Sequence, residues 1–429
     1  MYNKNTNQSR RFGKRPSGKR TSFNANRGGA RNFNRPRGNN KRSQFNDISK
    51  FINKALPIAE IIPYTPTNSF ADFAINECLK QTILKSGYTH PTPIQDQAIP
   101  QVLNGRDIVG IANTGTGKTA AFVIPLLDKV ARDKRQNILI LAPTRELAIQ
   151  INQELIKFSQ GMRIFSVCTV GGMPIYRQIK DLQRTHNFVI GTPGRIKDLI
   201  NRGKLNINKF ETIVLDESDR MLDMGFVNDM RFLMSAMPKK HQTLFFSATL
   251  SDDIKKIIND FLNDPIHISV RTTDTAESID QDVIYAQKDT KFNLLHNLLI
   301  QPEFNKVLIF GQTKIGVEKL SGLLSQKGIK VKSIHGNKNH TQRQQALKSF
   351  KDNDVNVLVA TDVAARGIDI PNVTHVINYE LPSCYEDYIH RIGRTGRGGN
   401  TGKALTFVSH ETTKVSAPNN NRRKRNWRK

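Results

Sequence analysis

Short, largely apolar runs rich in β-branched and aromatic residues recur between residues 107 and 247: Asp107–Ile111, Ile138–Ala142, Phe188–Gly191, Thr212–Leu215 and Thr243–Ser247. Each is followed by a turn or a helix start, and amphipathic stretches fill the gaps. Runs without strict polar alternation belong to strands buried on both faces, which is how parallel sheets are made in βα units. The polar stretch Arg271–Gln281 interrupts the pattern and reads as a linker. A second series follows: Val283–Ala286, Lys306–Phe310, Lys330–Ile334, Val355–Ala360, His375–Tyr379 and Gly402–Phe407. The pattern predicts two α/β domains joined by a flexible hinge, with no short-period repeat.

The 429 residues suffice for two such domains plus tails. We expect a basic arm over 1–64, a first domain over 65–270, a linker over 271–281, a second domain over 282–411 and a basic tail over 412–429. The net charge of +28 is concentrated at the ends. Residues 1–50 hold 14 Lys/Arg and one acid, hence +13, and residues 419–429 hold six more basic residues, leaving +9 for the middle. Both ends are too polar to bury a core, so disordered basic tails are expected. That charge favours a polyanion as partner. Cys78, Cys168 and Cys384 lie far apart without CxxC spacing, which argues against zinc and disulfides and for a reducing compartment, the cytoplasm. No apolar run is long enough for a membrane span, and the Arg-rich start lacks the apolar segment of a secretory signal.

Ala112-Asn113-Thr114-Gly115-Thr116-Gly117-Lys118-Thr119 follows one strand and opens an amphipathic stretch. Gly-x-Gly-Lys-Thr in that setting lets backbone N–H groups and a helix N-terminus wrap a phosphate chain. Lys118 would reach the β- and γ-phosphates and Thr119 would hold Mg²⁺. Taken alone, a Gly-rich turn closing a βα unit would read similarly. The run Thr212–Leu215 ends in Asp216-Glu217-Ser218-Asp219. An apolar strand delivers such carboxylates to the edge of the sheet where ligands bind. Asp216 would hold Mg²⁺ largely through water, and Glu217 would act as general base toward an attacking water.

With these motifs the chain resembles the DEAD-box ATP-dependent RNA helicases of superfamily 2, over about residues 68–410. The likeness is to a short, bacterial-type member with basic tails. It implies two tandem RecA-like domains, one ATP with Mg²⁺, RNA-stimulated hydrolysis and local, sequence-independent unwinding of RNA or remodelling of RNA–protein complexes. An ATP-gated RNA clamp or annealing protein is the alternative. Three positions depart from the family's pattern: Ala112 stands where the loop usually begins with Gly, Ser218 where the tetrad usually has Ala, and Gln345 where many members have Arg. The resemblance assigns Asp219 to hydrogen bonding with Ser247-Ala248-Thr249, a link between nucleotide state and domain closure. Gly87-Tyr88-Thr89-His90-Pro91-Thr92-Pro93-Ile94-Gln95 resembles the family's adenine-selecting motif, with Gln95 at the base edge and Phe70 at the spacing of a stacking aromatic. A packed core role is the plainer reading of Phe70 alone.

His390-Arg391-Ile392-Gly393-Arg394-Thr395-Gly396-Arg397 matches the family's arginine motif, in which Arg394 and Arg397 are γ-phosphate fingers and His390 takes part in coupling. Guanidinium groups suit charge developing on a transferred phosphoryl group. Gly367 and Asp369 match positions that touch the nucleotide. For RNA the resemblance assigns Pro143, Thr144, Arg145, Gly172, Thr192, Pro193, Gly194 and Arg195 in the first domain. In the second it assigns Gln312, Thr313, Gly336 and Thr361. These types suit sugar and phosphate rather than base edges. Many members have Gln-x-x-Arg in the segment at Gln342-Arg343-Gln344-Gln345, where the last position is Gln345. Arg27-Gly28-Gly29 and Trp427, in the tails, suit single-stranded RNA by charge and stacking. Partners implied are single-stranded RNA, short duplexes and ribosomal or mRNA–protein complexes. A monomer without membrane attachment is expected.

Overall fold

A computed structural model describes residues 51–54, 64–113, 115–270, 279–365, 370, 372–396 and 402–409. The first sheet has seven strands: β1 Ile108–Ala112, β2 Ile138–Leu141, β3 Ser166–Thr169, β4 Phe188–Gly191, β5 Thr212–Leu215, β6 Gln242–Ser247 and β7 Ile266–Val270. Their spatial order is β3-β4-β2-β5-β6-β1-β7, and all pairs are parallel. Between β1 and β2 the chain skips two positions, later filled by β5 and β6. Such a reversal opens a crevice at the carboxyl ends of the strands.

The second sheet has six strands: β8 Ile279–Tyr285, β9 Val307–Gly311, β10 Val331–Ile334, β11 Val357–Thr361, β12 His375–Asn378 and β13 Gly402–Val408. Their order is β10-β11-β9-β12-β13-β8, again parallel throughout. The chain therefore carries two parallel-sheet α/β lobes, as the apolar runs predict.

Helices cover both faces of each sheet. Val109, Leu139, Ile213 and Phe245 pack on one side of the first sheet, and Ile108, Ile140, Val214 and Phe246 on the other. This is the period-two splitting of a doubly covered sheet. The helices start where side chains can cap them. Thr144 accepts from the Leu147 amide ahead of the helix Arg145–Phe158, and Ser251 accepts from Ile254 ahead of Asp252–Phe261.

Three features differ from the sequence reading. Strands β3 and β7 are not among the predicted runs. They lie at the two edges of the first sheet, where one face meets solvent and polar residues such as Ser166 and His267 interrupt the apolar signal. Strand β8 begins at Ile279, inside the stretch read as linker. Ile279 and Gln281 point inward while Asp280 and Asp282 point out, so a buried glutamine disguises the strand. Finally, Phe51–Lys54 lies within the arm read as disordered, yet Phe51 is buried and Asn53 forms an antiparallel bridge with Gln281. The arm up to residue 50, Arg27-Gly28-Gly29, Trp427 and the basic tail lie outside the described residues.

Candidate functional site

The register brings three strand ends together. Ile111 pairs with Ser247 across β1 and β6, and Leu215 pairs with Phe245 across β5 and β6. The glycine-rich loop after β1, the carboxylates after β5 and Ser247-Ala248-Thr249 after β6 therefore share one edge of the sheet. The loop leads into the helix Lys118–Arg132. Gly115 and Gly117 adopt φ of +86° and +91°, in the left-handed region. At Gly117 a side chain would also collide with the Gln95 amide, so conformation and space both demand glycine there. Thr116 Oγ1 donates to the Asn113 carbonyl at 2.8 Å. Lys118 is buried, and its Nζ donates to the Ala112 carbonyl at 2.8 Å. Thr119 follows on the first turn, half-buried.

Gln95 sits against this loop. Its Oε1 accepts from the Thr92 amide at 2.9 Å, and its Nε2 donates to the Gly117 carbonyl at 3.1 Å. The next residue, Asp96, accepts from Tyr64, from the Thr67 amide and from both the backbone and side chain of Asn68. The segment before Phe70 is thereby pinned to the helix that carries Gln95. Phe70 itself is 1% exposed and meets Phe73 and Tyr88 edge-on. Its burial among the residues of the first core fits the packed reading.

The carboxylates occupy a buried strand end. Burial pushes the Asp216 carboxyl up to about 7; Lys118 opposes that shift, while Glu217 and Asp219 add to it. A buried carboxylate beside one lysine is suited to receive a hard cation. Among the described residues no cluster of three or more His, Cys, Asp or Glu could hold a metal alone. That donor set fits Mg²⁺, which keeps waters and binds few protein groups when phosphates are its other ligands. Glu217 has φ +51°, uncommon for a side chain with Cβ. Its carboxylate accepts from Arg220 at 2.8 Å, and both side chains are buried. Ser218 donates to the Leu215 and Phe246 carbonyls at 3.2 and 3.1 Å. Its hydroxyl therefore bridges β5 and β6. Asp219 accepts from the amides of Ala248 and Thr249 at 3.0 and 3.1 Å, and from the Thr249 hydroxyl at 3.4 Å. Ser247 Oγ donates to the Thr249 carbonyl at 2.8 Å, tightening the same turn.

In the second lobe the helix Tyr385–Ile392 carries His390 and Arg391, and Arg394 follows in the next turn. Arg391 is a structural arginine. Its guanidinium grips Asp362 bidentately at 2.6 and 2.7 Å, donates to Asn378 and the Glu380 carbonyl, and lies over Phe310. Arg394 donates through Nε to the His390 carbonyl at 3.3 Å and borders a small recess with His390 and Asp387. Thr114, Gly367, Asp369 and Arg397 lie outside the described residues.

A cleft of about 450 Å³ gathers most of the first-lobe residues assigned to RNA: Pro143, Thr144, Arg145, Thr192, Gly194 and Arg195. Gly336, Arg343 and Val363 of the second lobe line it too. Gly172 (φ +73°) lies so close to the Arg145 guanidinium that any side chain would collide with it. Arg195 donates to Gln178 at 2.8 Å, and burial works against its charge. Pro193, Gln312, Thr313 and Thr361 do not line this cleft. Pro193 opens the helix Pro193–Asn201, Thr313 caps Lys314–Gln326, Gln312 is bonded to Glu380 and Leu381, and Thr361 closes β11.

Sequence reasoning missed three residues here. Arg343 forms an ion pair with Glu146 at 2.8 Å, so the guanidinium of this segment comes from position 343, while Gln345 is exposed. Arg220 was legible as a partner three residues beyond Glu217 on a helix. Asp96 had no signal, because its donors come from a segment without regular structure.

The comparisons agree with this geometry. The DEAD/DEAH box helicase family matches residues 92–257, and the helicase conserved C-terminal domain matches residues 290–399. The chain is 44% identical over 346 residues to the DEAD-box ATP-dependent RNA helicase CshA of Bacillus subtilis, an alignment covering 80% of this chain and 70% of that protein. It is 44% identical to the ATP-dependent RNA helicase CshA of Listeria monocytogenes, covering 79% of this chain and 66% of that one. The chain thus spans about two thirds of the length of these curated relatives. Among solved structures, S. cerevisiae Dbp5 bound to RNA and ADP BeF3 matches with TM-score 0.72 and 31% identity, covering 80% of this chain and 90% of that one. Mss116p bound to ssRNA and AMP-PNP matches with TM-score 0.73 and 30% identity, covering 81% and 76%.

Proposed function

This chain belongs to the DEAD-box helicase family, and we propose that it is an ATP-dependent RNA helicase whose RNA-stimulated ATP hydrolysis drives local, sequence-independent unwinding or RNA–protein remodelling. The observation that carries the reading is the shared sheet edge. One register brings Lys118, Asp216, Glu217 and the Asp219–Thr249 contact to the same place, beside a cleft lined by Arg145 and Arg195.

In this reading Ala112–Thr119 wraps the triphosphate, and Lys118 exchanges the Ala112 carbonyl for the β- and γ-phosphates. Gln95 selects adenine by donating and accepting at the base edge. Thr119 and Asp216 would hold Mg²⁺, which supplies charge neutralisation on the phosphates. Arg220 fixes the Glu217 carboxylate, so that it receives the proton of the attacking water in an in-line displacement. Arg394, together with Arg397, approaches from the second lobe and offsets charge on the transferred group. Asp219 reports that state to the backbone of Ala248 and Thr249. Arg145, Arg195, Thr144 and Thr192 hold sugar and phosphate, so binding carries little base information. Cytoplasmic location and monomeric state belong to the same proposal, and the three free cysteines fit a reducing compartment. Among the described residues no helix is long and apolar enough to cross a membrane.

The test is ATP turnover with and without RNA for the wild-type chain, Lys118→Ala and Glu217→Gln, alongside strand separation of a short duplex. RNA should raise turnover in the wild type, and both variants should lose it. Turnover indifferent to RNA would overturn the reading, and hydrolysis without strand separation would favour the annealing clamp.

A further inference from the structure

Strand β8 is the edge of the second sheet, and an edge offers unpaired backbone groups to any extended segment. Here the segment comes from far upstream in the same chain. The Asn53 amide donates to the Gln281 carbonyl at 3.0 Å, and the Gln281 amide donates to the Asn53 carbonyl at 2.7 Å. This reciprocal pair is one complete rung of an antiparallel ladder. Two residues earlier, Phe51 fills a hydrophobic recess with Ile279, Tyr388, Ile392 and Ala404 and is 1% exposed. Its ring meets Tyr388 edge-on at 4.7 Å, a favoured aromatic geometry. Tyr388 in turn donates to the Gln281 side chain at 2.9 Å, so one glutamine joins arm, strand and helix.

Tyr388 and Ile392 stand four apart on the helix Tyr385–Ile392 and share one face. The same helix carries His390 and Arg391 and leads to Arg394. Arg391 secures it to Asp362 and Asn378. Phe51 supplies a second, separate support.

We propose that Phe51–Asn53 is a cis clasp on the edge of the second sheet that positions the arginine-bearing helix for catalysis. The proposal rests on the helicase reading for the role of Arg394, but not for the docking itself. Phe51 is a positioning residue: it touches no reacting atom and acts through Tyr388 and Ile392. A clasp of this kind makes ATP turnover depend on an aromatic side chain that precedes the first lobe.

The experiment compares full-length wild type, Phe51→Ala and Phe51→Leu by hydrogen exchange and by steady-state ATP turnover at saturating RNA. In Phe51→Ala the Gln281 amide and the helix 385–392 should exchange about tenfold faster. The turnover number should fall about tenfold with KM for ATP little changed, because a displaced catalytic group costs rate rather than binding. Phe51→Leu should restore most of both. Unchanged exchange at Gln281 would overturn the docking. Faster exchange with unchanged turnover would overturn the positioning role, as would a rise in KM alone. Exchange that depends on protein concentration would overturn the cis assignment in favour of an arm from a second copy. If the wild-type chain shows no RNA-stimulated turnover, the helicase reading fails and the positioning role with it, while the exchange result still decides the docking.

Discussion

Arg343 of the second lobe places a guanidinium nitrogen 2.8 Å from the Glu146 carboxylate of the first, and both side chains are buried, at 8% and 3% exposure. The pair borders the cleft beside Arg145 and Gly336. Burial works against the Arg343 charge, as does Arg145, and Glu146 partly offsets both. Leaving either charge without the other should cost about 3 kcal/mol wherever it stays buried. The two lobes can part to hydrate the survivor, so the loss should register in RNA binding more than in melting. Arg343→Ala and Glu146→Ala should each weaken binding of a labelled RNA in the presence of an ATP analogue by about tenfold or more. In the double variant the losses should overlap, with coupling of about 1 kcal/mol or more. Fluorescence anisotropy across the cycle checks this; strictly additive losses would contradict it.

Arg391 and Arg394 should separate cleanly. Arg391→Ala leaves Asp362 without its ion-pair partner and the Asn378 side-chain oxygen without this donor, and should destabilise the second lobe by about 3 kcal/mol. Arg394→Ala should cost less melting temperature than Arg391→Ala, while turnover falls about a thousandfold. Thermal melts paired with single-turnover hydrolysis distinguish them. Equal melting losses would mean that both arginines are structural.

Ser218→Ala tests the departure in the acidic tetrad. The hydroxyl donates to the Leu215 and Phe246 carbonyls at the ends of two neighbouring strands. Its removal should cost about 1 kcal/mol in denaturant unfolding and leave RNA-stimulated turnover within about twofold. A large loss of turnover at unchanged stability would give that hydroxyl a catalytic duty.

A pH effect is expected at Glu318. The Ser333 hydroxyl foremost, then His335 and Lys338, hold its carboxyl at about 2, below its ordinary 4.5. A depressed carboxylate stabilises the fold above its unfolded value and loses that contribution as pH falls from 4.5 toward 2. Glu318→Gln should therefore flatten the acid limb of stability against pH while leaving its shape above about pH 6 intact. Urea midpoints collected across that range would show a parallel, unflattened limb if the bonds do not form in solution.

The lobes were legible because buried parallel strands write themselves as apolar runs. What escaped was whatever solvent had half-erased. Edge strands β3 and β7 carry Ser166 and His267 on open faces, and β8 hides behind a glutamine whose partners, Tyr388 and Asn53, lie 107 positions downstream and far upstream. In the site, the tetrad and the loop were readable because their residues are neighbours in the chain. Arg343 was not, since its meaning depends on Glu146 in the other lobe. Phe70 shows how spacing and packing give different information: its spacing matches a stacking aromatic, while its ring is buried and meets Phe73 and Tyr88 edge-on.

Lys118 and Gln95 both hold carbonyl partners within the protein, Ala112 and Gly117. A nucleotide that engages either must first evict a bond of comparable quality. Its net grip is then a difference between two similar quantities rather than a sum of new contacts. A cycle that must let its spent nucleotide go is served by such near-parity: the loop reclaims its own donors as the ligand leaves, and departure never strands a buried ammonium or amide.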